Sequence, residues 1–442
     1  MAVAVDLPVD LPVDLPVEMP VDLPVEMPVD LPVEMPVDMP VEMPGAAGTG
    51  LRWDIFCRVV DNLGDAAICW RLARQLANEY SLTVRLWIDG PQALIRLVPG
   101  ARTGQVHDRV SIERWRDDDP RLSGPEPEQL ADVVIAGFAC ELPAAYRRAM
   151  TSRRPVWINL DYLSAQPWVD THHGLPSPKA DGLIEHFFFP GFTPASGGLL
   201  READLIERQD RFDRDPTAKI DFLRSLGVEA EPGDRLISVF CYPDSPVAAL
   251  IDRITAQPLP PQVPQGPQGT YGRWRLLIPE GIAPELTDGP PDSHQDGRPD
   301  GRPFSRLPFL AQTDYDRLLW CCDLNCVRGE DSFVRALWSG RPLIWQAYRQ
   351  ADNAHQPKLE AFLDRWLDAA TVPQTAAHVW RSAHAAWNAA PDPSSRTLMA
   401  SALQPMLDQL PTLAAGAHRW RSAQLEQTDL ASRLVGFAAS KL

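Results

Sequence analysis

The chain has 442 residues, 45% hydrophobic and 23% charged, a balance that supports a substantial core spread over roughly two to three domains. No run approaches the ~20 uninterrupted apolar residues of a membrane helix, and no cationic segment precedes an apolar one at the amino terminus, so a cytoplasmic protein is expected. Of the formal charge of −17, ten units come from acids between residues 6 and 42 and leave −7 elsewhere, which disfavours non-specific nucleic-acid binding and is compatible with a basic protein partner.

Residues 5–44 repeat Val-[Asp/Glu]-[Leu/Met]-Pro ten times. Proline at every fourth position removes amide donors and fixes φ, which rules out a helix or a sheet interior. An extended or disordered acidic tail is expected, followed by a small-residue linker to Gly50. A docking arm and a neutral repeat expansion are both consistent with it.

From Trp53 the pattern alternates between strands and helices. Residues 53–60, 82–88, 132–138 and 156–162 read as buried strands, with helices near 66–78, 91–98 and 142–150. A second series follows. Strands are expected at 235–242, 274–279, 324–327 and 342–345, with helices at 246–255, 314–322, 332–338 and 359–367. Two Pro/Gly-rich stretches, 257–273 and 284–303, are long for connections and read as surface excursions. The sum is an α/β fold: two Rossmann-like halves with parallel sheets, facing each other across a central cleft. The expected partition is a tail and linker at 1–50, a first half at 51–234, a second at 235–415, and a terminal helix at 416–442 packing back on the first half.

Asp61-Asn62-Leu63-Gly64-Asp65 follows the first strand, at the edge where open parallel sheets bind ligands. Gly64 permits a tight turn and places Asp61 and Asp65 on the cleft rim; Asp65 could instead simply cap the helix. Arg328-Gly329-Glu330-Asp331-Ser332 repeats the arrangement in the second half. Free amides at a helix start suit a diphosphate, and the Ser332 hydroxyl and Tyr348 could add donors. Two neighbouring acids contradict an anion site unless one faces away; capping by Asp331 or Ser332, with an Arg328–Glu330 ion pair, is the alternative. Phe309 and Gln312 could hold a pyrimidine by stacking and an amide, or Phe309 could be core. The seven scattered cysteines read as buried thiols, and His172-His173 lacks metal-ligand company.

The blocks WDIFCRVVDNLGD, INLDYLSAQPWV, FFFPGF, VFCYPDSP and CDLNCVRGEDSFVRALWSGRPLIWQAY resemble the elongation factor P–arginine rhamnosyltransferases, from about Trp53 to the carboxyl terminus. The RGEDSF block followed by SGRP is the most specific. The acidic repeat lies outside the resemblance, and Ala66-Ala67 stands where Ile-Gly would be usual. The resemblance implies a GT-B glycosyltransferase fold with an acceptor domain at 51–234 and a nucleotide-sugar domain at 235–415. It further implies inverting transfer of L-rhamnose from dTDP-β-L-rhamnose, without cofactor or catalytic metal, to an arginine of elongation factor P. Asp61, Asp65 and Glu330 would be the catalytic acids. The donor would be held by Asn62, Gly64, Phe309, Gln312, Arg328, Asp331, Ser332 and Tyr348.

The chemistry suits the residues. A guanidinium, with a pKa above ~12, is a delocalised and poor nucleophile that needs carboxylates to orient it and accept its proton. Asp65 is the expected base, with Asp61 and Glu330 polarising the acceptor, although the two aspartates could exchange roles. Competing readings are a GT-B enzyme with a lipid or glycan hydroxyl acceptor, an epimerase, and a non-catalytic nucleotide-sugar-binding scaffold.

Overall fold

The computed structural model describes residues 50–60, 63–122, 129–230, 233–256, 273–284, 303–349, 353–390 and 393–442. The repeat tail, Asp61, Asn62 and all but the ends of the two Pro/Gly-rich stretches lie outside them.

The first half runs β1 (Arg52–Cys57), α1 (Gly64–Glu79), β2 (Thr83–Ile88), α2 (Pro91–Leu97), β3 (Gln105–His107) and β4 (Val110–Arg114). It continues through β5 (Val133–Gly137), α3 (Ala144–Arg153), β6 (Val156–Leu160), α4 (Trp168–His172), β7 (Pro176–Pro178) and β8 (Ile184–Phe188). These strands form one sheet, β3-β4-β2-β1-β5-β6-β8-β7, parallel except for its outermost strands β3 and β7. The central strands are apolar runs, such as Val133–Gly137, because helices cover both faces. The winding reverses between β1 and β5, so the carboxyl ends of those two strands flank the switch-point crevice.

Two helices, α5 (Leu205–Arg214) and α6 (Ala218–Ser225), lead to the second sheet. Its elements are β9 (Arg235–Val239), α7 (Val247–Thr255), β10 (Trp274–Pro279), β11 (Phe304–Leu307), α8 (Gln312–Cys321), β12 (Leu324–Arg328), α9 (Asp331–Ser339) and β13 (Leu343–Gln346). The order β11-β10-β9-β12-β13 is wholly parallel, with its own reversal between β9 and β12. The chain closes with α10 (His355–Ala370), α11 (Gln374–Trp387), α12 (Pro393–Asp408), α13 (Leu410–Leu425) and α14 (Leu430–Ala439).

The expected boundaries need two corrections. Phe222, Leu223 and Val228 pack with Leu236, Leu277, Leu307 and Leu318, so α5–α6 belongs with the second half, not the first. Leu413, Ala417 and Trp420 of α13 join the second core as well. Only α14 returns: Leu430, Ala431, Leu434 and Ala438 are buried in the first core. Asp429 caps α14 and also accepts from Gln75 of α1 at 3.1 Å. Sequence spacing shows that a helix has an apolar face, but not which of two sheets that face meets.

Strands β1 and β6 end at Cys57 and Leu160, short of the expected Val60 and Tyr162. The ladders stop at these points, and Arg58–Val60 and Asp161–Tyr162 continue as loop. The edge strands β3 and β7 have three residues each, too few to show alternation. All seven cysteines are buried thiols. Among the described residues no helix is long and apolar enough to cross a membrane.

Candidate active site

The crevice of the first half is built on α1. Asp65, in its first turn, is 2% exposed. One of its carboxylate oxygens accepts the Val60 N–H at 2.8 Å, and the other accepts the Tyr162 hydroxyl at 3.4 Å. Tyr162, just beyond β6, stacks on Phe138 with ring centroids 4.6 Å apart. Phe138 and Ala139 both hold positive φ, 56° and 54°, a strain on the order of 1–3 kcal/mol each that places the ring under Tyr162. Asp61 and Asn62 lie outside the described residues.

The crevice of the second half opens where β12 ends. Gly329 has φ +62°, a left-handed turn that a Cβ would strain. It leads through Glu330 to α9, whose first-turn amides have no side-chain cap. The capping alternative fails for both candidates. Asp331 turns its carboxylate away to Arg71 at 2.8 Å, and Ser332 donates its hydroxyl back to the Arg328 carbonyl. Arg328 forms no ion pair with Glu330; its guanidinium donates to the Cys241 carbonyl at 3.0 Å and packs against the rings of Phe240 and Tyr242. One of the two adjacent acids therefore faces away from the anion site.

Glu330 accepts the Leu163 N–H at 2.9 Å, reaching from the second half to the exit of β6 in the first. Ile68, Leu163, Leu199 and Val334 line the small cavity behind it. Burial there pushes its carboxyl up to about 8, against the pull of the Leu163 hydrogen bond, with Asp65 and Asp161 adding repulsion. Burial also raises Asp161, and Lys358 of α10 tempers both acids.

Glu330 borders a cleft of roughly 1010 Å³, open mouth included, between Leu63, Gly64 and Ala67 of one half and Phe309, Gln312 and residues 328–332 of the other. Phe309 lies under the Arg96 guanidinium at 4.5 Å. Gln312 donates its side-chain amide to the Ala67 carbonyl at 3.1 Å, leaving its own carbonyl oxygen as an acceptor. The expected donor residues Gly64, Phe309, Gln312, Arg328, Asp331 and Ser332 thus share one wall system. Tyr348 stands apart: it is 62% exposed and lines a neighbouring cavity with Tyr242, Asp244 and His355.

Residues 53–439 match the family described as elongation factor P (EF-P) rhamnosyltransferase EarP. The chain belongs to the EarP family. It is 45% identical to the protein-arginine rhamnosyltransferase of Pseudomonas aeruginosa, over 88% of this chain and 99% of that protein. It is 42% identical to its counterpart in Pseudomonas putida over the same shares. A solved structure described as the basis for EarP-mediated arginine glycosylation of translation elongation factor EF-P is 31% identical, with a TM-score of 0.58, covering 88% of this chain and 99% of that one. Like it, this EarP-family chain is a GT-B glycosyltransferase, its two parallel α/β sheets meeting across the cleft.

Sequence reasoning passed over several residues in and around this EarP-family cleft: Arg71, Arg96, Asp161, Tyr162, Tyr242 and Lys358. For Asp161, Tyr162 and Tyr242 a signal existed, since each follows a parallel strand on its ligand-binding edge. Arg71, Arg96 and Lys358 sit within helices, where nothing in the spacing separates them from solvated charges.

Proposed function

We propose that this protein transfers L-rhamnose from dTDP-β-L-rhamnose to an arginine side chain of EF-P, with inversion at the anomeric carbon. The observation that carries this reading is that Glu330, at the uncapped start of α9, lines a cleft shared with Gly64 of the first half and lies close enough to the buried Asp65 to be raised by its charge. The diphosphate would occupy the amides of α9 beside Ser332, where the helix dipole favours negative charge. The thymine would stack on Phe309, with the free carbonyl oxygen of Gln312 accepting its imide N–H. Tyr348 would reach the phosphates from the neighbouring cavity.

In the reaction, a guanidinium nitrogen attacks the anomeric carbon, and the bond to the β-phosphate oxygen breaks with its electron pair leaving on dTDP. The nitrogen proton would pass to a carboxylate, a role we give to Asp65, while Asp61 and Glu330 would hold the cation. The α9 amides take up the charge of the departing diphosphate, so turnover should survive chelation of divalent ions. A translation-factor acceptor places the reaction in the cytoplasm. We assign residues 51–204 with α14 to the acceptor side and 205–425 to the donor side.

The test is intact-mass analysis of purified EF-P after incubation with this protein and dTDP-rhamnose. One deoxyhexose on an arginine supports the reading. An unmodified factor, with the sugar appearing on a lipid or glycan hydroxyl or released free, refutes it.

A further inference from the structure

We infer that Arg71 is a positioning residue for the transfer reaction, setting the spacing between the acid-bearing start of α1 and the phosphate-facing start of α9. The inference rests on the reading of the cleft given above.

Arg71 lies on α1, 4% exposed, and its guanidinium meets three carboxylates, two of them from the other half. Nε donates to Asp331 at 2.8 Å, Nη2 to Asp316 of α8 at 3.0 Å, and Nη1 to Glu202, in the segment joining the halves, at 3.4 Å. Arg335 of α9 completes the set from the other side, at 2.7 Å from Asp316 and 2.6 Å from Glu202. Burial alone would lower the Arg71 guanidinium, but Asp316, Asp331 and Glu202 outweigh it and hold the group cationic.

Three helices contribute residues one turn apart. Ala67 and Arg71 on α1, Gln312 and Asp316 on α8, and Asp331 and Arg335 on α9 each place one member at the cleft and one in the charged layer beneath it. The Gln312–Ala67 hydrogen bond is the upper tie and the Arg71–Asp316 pair the lower, so α8 is fixed to α1 at two levels.

A buried ion network is a poor device for stability alone, because apolar side chains of equal volume serve as well. What the planar fork supplies is direction: each N–H is aimed at one oxygen, and the two halves meet in one register. The same contact turns the Asp331 carboxylate from the α9 amides and leaves them unopposed for an anion. Asp65 stands about one and two-thirds turns above Arg71 on the same helix, so a shift at Arg71 moves the acid relative to the phosphate site.

Arg71→Lys retains the charge but cannot reach three carboxylates at once, and Asp316→Asn retains one acceptor oxygen while losing the charge. Both are compared with the full-length wild type for secondary structure, dTDP affinity, single-turnover transfer to EF-P, and amide exchange in the first turns of α1 and α9. We expect dTDP affinity to stay within about threefold, transfer to slow by about 10- to 100-fold, and exchange in both turns to accelerate. The inference is overturned if transfer and exchange match wild type in a folded variant, or if the whole loss lies in dTDP affinity. A wild type that modifies no EF-P would refute the functional reading, whereas the exchange comparison needs no acceptor and still decides the role of Arg71. Should Arg71→Lys not fold, Asp316→Asn is read by the same criteria.

Discussion

Glu330 of the second half accepts a hydrogen bond from the backbone of Leu163 in the first, at 2.9 Å, and in doing so leaves water for an apolar recess. Its carboxyl is raised from 4.5 to about 8, chiefly by that burial. Between those values the unfolded chain has lost a proton that the folded chain keeps, so folding stability falls as pH rises across the window. Glu330→Gln should therefore leave the urea midpoint unchanged near pH 4 and raise it near pH 9. Paired titrations at the two pH values check this, and equal shifts at both would contradict it.

The same raised carboxyl predicts proton-coupled acceptor binding. A guanidinium entering the cleft favours the ionised form, so binding releases a proton at neutral pH. Affinity for an arginine-containing EF-P loop peptide should weaken as pH falls below about 8, by at most about tenfold per unit. Calorimetry in buffers of different ionisation enthalpy would register the released proton, and Glu330→Gln should abolish it.

Asp65→Asn preserves an acceptor for the Val60 N–H and so should fold. It removes the proton acceptor, and the transfer rate should drop by about 10²- to 10⁴-fold with dTDP affinity little changed. A rate within a few-fold of wild type would assign the base elsewhere, with Asp61 the first alternative.

Phe309→Ala removes the aromatic face beneath Arg96. If the base stacks there, dTDP affinity should weaken by about 10-fold or more, as stacking on aromatic side chains is worth about 1–3 kcal/mol per base. Fluorescence titration with dTDP reads this directly; an unaltered affinity would return Phe309 to a purely packing role.

Two buried histidines weaken the fold toward acid. Burial lowers His173 and His384 from 6.5 to about 4, each held neutral by accepting a backbone N–H, from Phe189 and Trp345 respectively. The unfolded chain takes up protons first as pH falls, so their contribution is complete above 6.5 and is lost on the way down to about 4. Denaturation midpoints should decline across that interval, and less steeply in His384→Gln.

Much of this architecture was readable before any coordinates. Apolar runs such as Val133–Gly137 and Leu343–Gln346 announce parallel strands, and glycine with acids at a strand exit announces a cleft. The paired acids at 330 and 331 could not be separated that way. Their opposite fates depend on Arg71, which is distant in sequence and looks like an ordinary helical cation. The Arg328–Glu330 pairing considered from spacing fails for a similar reason, since aromatic rings from the exit of β9 capture the guanidinium. Tyr348 follows a strand as expected, yet its neighbours were set by how far β13 carries it from the central crevice.

The return of α14 has a consequence for biosynthesis. Leu434 and Ala438 complete a core that begins with Trp53 and Ile55, so the half translated first cannot close until α14 has emerged from the ribosome. Until then that sheet carries an apolar face awaiting a helix not yet made, and a chain cut before Leu430 would leave it open for good.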